Sequence, residues 1–238
     1  MAVILNIDTS TDVCSTALTA EGAVLVHRED FSGRNHAALL SGFIKDCLDR
    51  AAELELKLDA VAVSMGPGSY TGLRIGLSEA KGLAFALGIP LIGIDTLKLL
   101  AVSVMFSGVD LPDNALFAPM IDARRMEVFT AVYDMALNPL MEPQPLILES
   151  DSYNRFADHG TLVFFGNGSD KARNALACPD AVFVPDVKPV AVDMLALSEL
   201  AWSKREFIDI AYSTPWYRKE FQTTKPKSMF EFNTKINF

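Results

Sequence analysis

The chain has 238 residues, half of them hydrophobic and 21% charged, enough apolar material for one large domain or two lobes of about 100 residues each. Its formal charge of −9 repels phosphate, so the chain alone is a poor nucleic-acid binder, and any work on RNA needs a partner that supplies basic surface. The scattered Cys14, Cys47 and Cys178 match no zinc or disulfide pattern and fit a reducing cytoplasm; the apolar start lacks a basic leader, and no apolar run reaches the ~18 residues of a membrane span.

Residues 2–7 form a continuous apolar run, as in a buried central strand. Strands over 15–18 and 23–27 follow, joined by a Glu21-Gly22 turn. The spacing of Leu39, Leu40, Phe43, Ile44, Cys47, Leu48, Ala51 and Ala52 predicts a helix over 36–52, with Asn35 as its N-cap. Residues 59–64 read as a strand. Beyond a glycine-rich turn, a second helix runs over 71–87 and stops at Gly88, with Pro90 behind it. Residues 91–94 form the next strand, giving the order β-β-β-α-β-α-β.

The second half repeats this plan loosely. Strands are expected over 116–121, 127–133 and 145–148, a short helix over 151–158 and a strand over 161–165. A helix over 167–176, extended chain over 181–184 and a final helix over 192–205 complete it. Ile7-Asp8 and Ile121-Asp122 close the first strand of each half alike. The duplication predicts an α/β protein of two tandem ribonuclease-H-like, actin-like lobes, each a mixed five-stranded sheet with flanking helices. The expected divisions are 1–105, 106–221 and an irregular polar tail over 222–238, with the break in 106–113, where Gly108, Pro112 and Asp113 interrupt the pattern.

The most distinctive segment is Gly66-Pro67-Gly68-Ser69-Tyr70-Thr71-Gly72, between a strand and a helix. It is no P-loop, because no Gly-Lys-Ser/Thr follows, and its glycine spacing misses the dinucleotide fingerprint. A tight turn that aims the helix is preferred over an anion cradle. In the helix after it, Gly72, Gly76, Ala80 and Ala84 recur every four residues and Gly82 adds another gap. Each interior glycine costs about 1 kcal/mol relative to alanine, so the small-residue stripe must recover that by close packing. Its own sheet and a helix of another chain are both open as the neighbour; the sharper expectation is an intermolecular contact as well as a folding device.

The Asp8-Thr9-Ser10-Thr11 turn stands where actin-like ATPases carry a first phosphate loop, yet no glycine follows before Gly22. Asp122-Ala123-Arg124-Arg125 in the second half also lacks glycine. Gly166-Asn167-Gly168-Ser169 reads as a loop into the next helix rather than a relic of an adenosine loop. His27, His36 and His159 form no His-x-x-x-His pair, so a zinc protease has no ligand set, and no metal, cofactor or catalytic group is expected. Three classes compete on these grounds: a binding and scaffolding subunit, an active nucleotide hydrolase or glycoprotease-like enzyme, and a self-associating structural protein. The missing glycines after Asp8 and Asp122 and the missing histidine pair favour the first.

The run from Ser64 to Gly76, Ser-Met-Gly-Pro-Gly-Ser-Tyr-Thr-Gly-Leu-Arg-Ile-Gly, continued by Ala80-Lys81-Gly82-Leu83-Ala84, resembles the hallmark of the TsaB (YeaZ) family. Ile7-Asp8-Thr9-Ser10, the helix led by His36, Ile121 to Val128 and Pro215-Trp216-Tyr217-Arg218 add weaker matches, while 145–205 carries none. The resemblance implies an actin-like fold with a degenerate nucleotide cleft. It implies a non-catalytic role in making N6-threonylcarbamoyladenosine beside the anticodon of tRNAs reading ANN codons. The implied partners are a TsaD-like catalytic subunit and a TsaE-like ATPase, with tRNA met only through the complex and homodimers formed when the chain is alone. It also implies that TsaD is met through the first lobe, by the helices 36–52 and 71–87. The residues expected at that contact are Leu39, Leu40, Phe43, Ile44, Cys47, Tyr70, Gly72, Leu73, Gly76 and Ala80.

Overall fold

A computed structural model describes residues 2–33 and 35–216. Tyr217 and Arg218 of the family motif, the expected lobe end at 221 and the tail from 222 lie outside the described residues. Strands β1 (Ile4–Asp8), β2 (Cys14–Ala20) and β3 (Ala23–Asp30) lead into helix α1 (His36–Glu53). Then come β4 (Ala60–Gly66), α2 (Tyr70–Leu87), β5 (Leu91–Asp95) and α3 (Thr96–Met105). The second half holds β6 (Ala115–Asp122), β7 (Glu127–Tyr133), β8 (Pro139–Ile147), β9 (Thr161–Phe165), α4 (Ser169–Ala175), β10 (Val182–Val184) and α5 (Leu195–Lys204).

The two sheets have the same plan. Their orders are β3-β2-β1-β4-β5 and β10-β9-β6-β7-β8. In each, the first strand pairs antiparallel with the second and parallel with the fourth: Asp8 faces Ser15 and Ile7 faces Val63, while Asp122 faces Val128 and Pro119 faces Phe165. The five residues of β1 are all buried, which is why that strand carries no alternation.

Several local expectations change. Asn35 makes no capping bond to α1; its side chain reaches Ser32 instead. Ser69 caps α2 by accepting from the Gly72 N–H at 3.2 Å. Strand β8 is longer than expected and carries Pro139, Pro143 and Pro145, tolerable because it is an edge. The expected helix over 151–158 contracts to a 3-10 turn at Asn154–Phe156, and the final helix starts from a 3-10 turn at Ala191–Met194.

Helix α3 has no counterpart in the sequence reading. It is capped by Asp95, which accepts from the Leu97 and Lys98 N–H groups. Eight of its ten residues, Thr96, Leu97 and the run from Leu99 to Val104, are buried, so it is apolar nearly all round and has no amphipathic stripe to detect. Leu97, Leu100, Ala101 and Val104 pack into the second sheet with Phe117, Tyr133 and Phe165. Leu99 joins Ile4, Ala62, Ile92, Met194 and Ala201 against the first. Helix α5, near the end of the chain, thus covers the first sheet, and the two halves share one buried seam.

The turn between β1 and β2 organises the first lobe. Thr9 Oγ1 donates to Gly72 O at 2.8 Å, the Ser69 N–H donates to Ser10 O at 2.7 Å, and His36 Nε2 lies 2.9 Å from Thr11 O. The approach leaves no room for side chains: a Cβ on Gly68 would lie 2.2 Å from Ser10 O, and one on Gly72 2.2 Å from Thr9 O. A Cβ on Gly76 would lie 2.3 Å from Thr9 Oγ1. The Gly72-Gly76-Ala80-Ala84 stripe therefore faces inward, onto its own lobe.

Asp8 sits fully buried behind this turn. Burial pushes its carboxyl up from 3.8 to about 6, and the hydroxyls of Ser64 and Ser10, the Ser10 N–H and His36 offset only part of that. Because the folded pKa exceeds the unfolded one, stability is lost as pH rises from about 4 to about 6 and stays lower above it, by about 3 kcal/mol. Asp8→Asn is expected to raise Tm at pH 7 and to flatten the stability profile between pH 4 and 6, both read by thermal denaturation across pH. The glycines of α2 are expected to split. Gly72→Ala, driven into a backbone carbonyl, lowers Tm sharply, whereas Gly82→Ala, with nothing within 4 Å, raises stability by up to about 1 kcal/mol.

Candidate functional site

Helices α1 and α2 lie side by side on one face of the first sheet. Their inner faces are spent within the lobe. Leu40, Ile44 and Cys47 of α1 and Gly72, Leu73, Gly76 and Ala80 of α2 are buried. Leu39 and Phe43 pack, partly buried, on the same core. Leu40, Cys47, Gly72, Leu73, Gly76 and Ala80 thus point inward and hold the helices down, while Leu39 and Phe43 are half-buried and Ile44 reaches through to the outer side. Tyr70, 47% exposed, is the tenth and stands on the outer face.

The outer faces form a groove of about 990 Å3 along the two helices, floored by Ile44 and lined by Ala37, Ile75, Gly82, Leu83 and Ala86. Gly82 opens onto it with nothing within 4 Å of an added Cβ. Ser41 Oγ bridges to Glu79 Oε1 at 2.8 Å across the helices. At one end Arg74 donates to Tyr70 OH at 2.6 Å, with its guanidinium 5.3 Å over the ring. Phe85, 80% exposed, and Leu87 stand exposed in the last turn of α2. The signal was present in the sequence as a second row of small residues, Ser78, Gly82 and Ala86. Gly82 lies about 240° around the helix from Gly76 and belongs to this row, not to the buried one.

The other candidate, the cleft between the halves, is held shut. Lys188 Nζ reaches Asp12 Oδ2 at 3.0 Å and lies 5.9 Å from the Phe31 ring centre. The Ala191 N–H donates to the buried Ser15 Oγ at 2.9 Å. A cavity of about 300 Å3 beside this clasp is lined by Asp12, Asp170 and Asp186 against Lys188, a balance that disfavours phosphate. Asn167 Oδ1 accepts the Asp122 N–H at 2.9 Å, so the Gly166-Asn167-Gly168-Ser169 turn ties α4 to β6. Burial pushes the Asp122 carboxyl up, but hydrogen bonds from Lys171 and the Arg124 N–H outweigh it and hold it below the usual range. Arg124 and Arg125 both take left-handed backbone, at φ 69° and 52°. Among the described residues no three His, Cys, Asp or Glu side chains come together as a metal site, and no helix is long and apolar enough to cross a membrane.

Residues 29–215 match the family model described as TsaD, tRNA N6-adenosine threonylcarbamoyltransferase. The Escherichia coli K12 protein described as tRNA threonylcarbamoyladenosine biosynthesis protein TsaB is 30% identical over 222 residues, 90% of this chain and 93% of its own length. The Bacillus subtilis protein of the same description is 35% identical over 140 residues, 58% of each chain. Among solved structures, YeaZ from Pseudomonas aeruginosa superposes with a TM-score of 0.75 at 27% identity, covering 91% of this chain and all of that one. A second Pseudomonas aeruginosa structure, of a protein described as similar to peptidase YEAZ, gives 0.78 at 28% over 92% of this chain and all of that one. With the duplicated sheets, the glycine-seated helix and this likeness along nearly its whole length, the chain belongs to the TsaB (YeaZ) family of tRNA threonylcarbamoyladenosine biosynthesis proteins, within the actin-like fold.

Proposed function

We propose that this chain is a non-catalytic scaffold in the synthesis of N6-threonylcarbamoyladenosine beside the anticodon of tRNAs reading ANN codons. Its first lobe, residues 1–105, presents the α1–α2 groove to a TsaD-like catalytic subunit, and a TsaE-like ATPase joins the assembly in the cytoplasm. The observation that carries this reading is the groove itself. It is apolar, it runs along two helices already fixed from beneath, and no described residue of the chain covers it. Small residues at Ser78, Gly82 and Ala86 let a partner backbone come close, as tight helix packing requires. A second copy of the chain meets the same chemistry when the catalytic subunit is absent, so a homodimer is the expected state of the isolated protein. The charge of −9 leaves tRNA contact to the partner.

The test separates the two faces of α2. Gly82→Arg is expected to keep the wild-type Tm within a few degrees while weakening homodimerisation and TsaD binding by at least roughly 30-fold, read by sedimentation and calorimetry. Gly76→Arg is expected to unfold the lobe. A Gly82→Arg protein that folds and binds normally overturns the reading. Micromolar ATP binding with hydrolysis by the isolated chain, lost in Asp8→Ala, would favour the rival, an independent actin-like hydrolase.

A further inference from the structure

We propose that the β1–β2 turn and the end of β4 enclose a binding site for one alkali metal ion, held by Asp8 Oδ2, Ser10 Oγ and Ser64 Oγ. Strand pairing brings Asp8 and Ser64 together. Strands β1 and β4 run parallel with Ile7 beside Val63, so Asp8 and Ser64 are neighbours one step further on. Alternation along the strands turns both to the side where Ile4 and Ala62 pack into the seam between the halves. The Ser10 N–H donates back to Asp8 Oδ1 at 3.4 Å, which brings the turn against the carboxylate. Asp8, Ser10 and Ser64 are all fully buried. Asp8 Oδ2, Ser10 Oγ and Ser64 Oγ are nevertheless left without a hydrogen bond to any described group. Both hydroxyls stand close enough to the carboxyl to act on it. Three buried oxygens that face one another without bonding are arranged as ligands around a common centre.

Charge selects the occupant. Among the described residues no Lys or Arg forms an ion pair with Asp8. His36 is the one side chain able to carry positive charge that acts on it. Its Nε2 is engaged with Thr11 O, and its buried Nδ1 makes no bond to a described group. A buried carboxylate without a counter-charge is costly, and a water molecule brings no charge to it. One carboxylate balances one positive charge, whereas a divalent ion would leave the enclosed site net positive and draws on more carboxylates than this one. Transition metals favour nitrogen and sulfur ligands, and no three His, Cys, Asp or Glu side chains among the described residues converge to supply a set. Carboxylate and hydroxyl oxygens suit a hard cation, and of these sodium and potassium carry the single charge the site balances. An ion there ties the turn to the end of β4. That turn is the one whose Thr9, Ser10 and Thr11 hold the starts of α2 and α1.

The test uses the full chain in choline chloride, with sodium or potassium exchanged for choline at constant ionic strength and neutral pH. The wild-type Tm is expected to rise saturably, by about 3 to 10 °C at roughly 100 mM for a site of millimolar Kd. The salt that gives the larger rise identifies the ion. Asp8→Asn, expected to melt above the wild type in choline, should gain nothing, so the gap between the two narrows as the ion is added. Ser64→Ala keeps the carboxylate but loses one ligand, and should raise the half-saturating concentration about three- to ten-fold. Crystals grown in the favoured salt are expected to show an ion coordinated by Asp8 Oδ2 and both hydroxyls. Equal Tm in all three salts overturns the proposal. So does a rise of the same size in Asp8→Asn, which marks a salt effect elsewhere on the chain. Hydrogen-bonded water alone between Asp8 and Ser64 in those crystals overturns it as well.

Discussion

The close approach of the β1–β2 turn to the first two turns of α2 governs the first lobe. Thr9 and Ser10 press their carbonyls to where the side chains of Gly72 and Gly68 would be, and Thr9 donates to the Gly72 carbonyl. Gly72 and Gly76 together sacrifice about 2 kcal/mol of helix propensity. Backbone-to-backbone packing and fully made hydrogen bonds recover it, because interior contacts are dense and a missing side chain leaves no void there. The same turn takes the His36 ring through Thr11 and so fixes the start of α1. One five-residue turn therefore sets the seat of both helices whose outer faces make the groove.

The turn also explains the cleft. Asp8 has no glycine behind it to let a phosphate approach, and the Thr9 hydroxyl and the Ser10 and Thr11 carbonyls are spent on the helices and their leading turns. Its last acid, Asp12, is taken by Lys188 from the other half. Lys188 and Asp12 are about one-third and one-half exposed, so the ion pair adds little stability; its weight lies in register. The buried bond from Ala191 to Ser15 and the seam of α3 and α5 hold the halves together.

Much of the fold was legible from residues. The continuous apolar run of β1, the amphipathic spacing of α1 and the Gly88-Pro90 stop of α2 each follow from local chemistry, and the matching Asp8 and Asp122 exposed the duplication. Helix α3 was invisible because periodicity needs a polar face, and α3 lies between two sheets with Thr96 and Ser103 as its only buried polar residues. Proline in β8 hid the first part of a strand that survives at the sheet edge. The packing faces of α1 and α2 suffered from a different confusion. Hydrophobic and small residues at helical spacing mark a face that packs, and they do not say against what.

The sequence by itself determined the family, the doubled α/β plan, the tight turn at Gly66–Gly72 and the lack of a phosphate-loop pattern, since each is written in short-range spacing. Only the tertiary structure decided which side of α2 is spoken for. Gly76 and Gly82 are alike in sequence, one residue type in one helix, yet one has a threonine oxygen against its Cα and the other has open space. The difference arises from Thr9, more than sixty residues away in the chain, brought there by the pairing of β1 with β4. Local spacing fixes where a side chain points around its own axis; what it meets is set by long-range strand pairing, and that decides which face of α2 is left open.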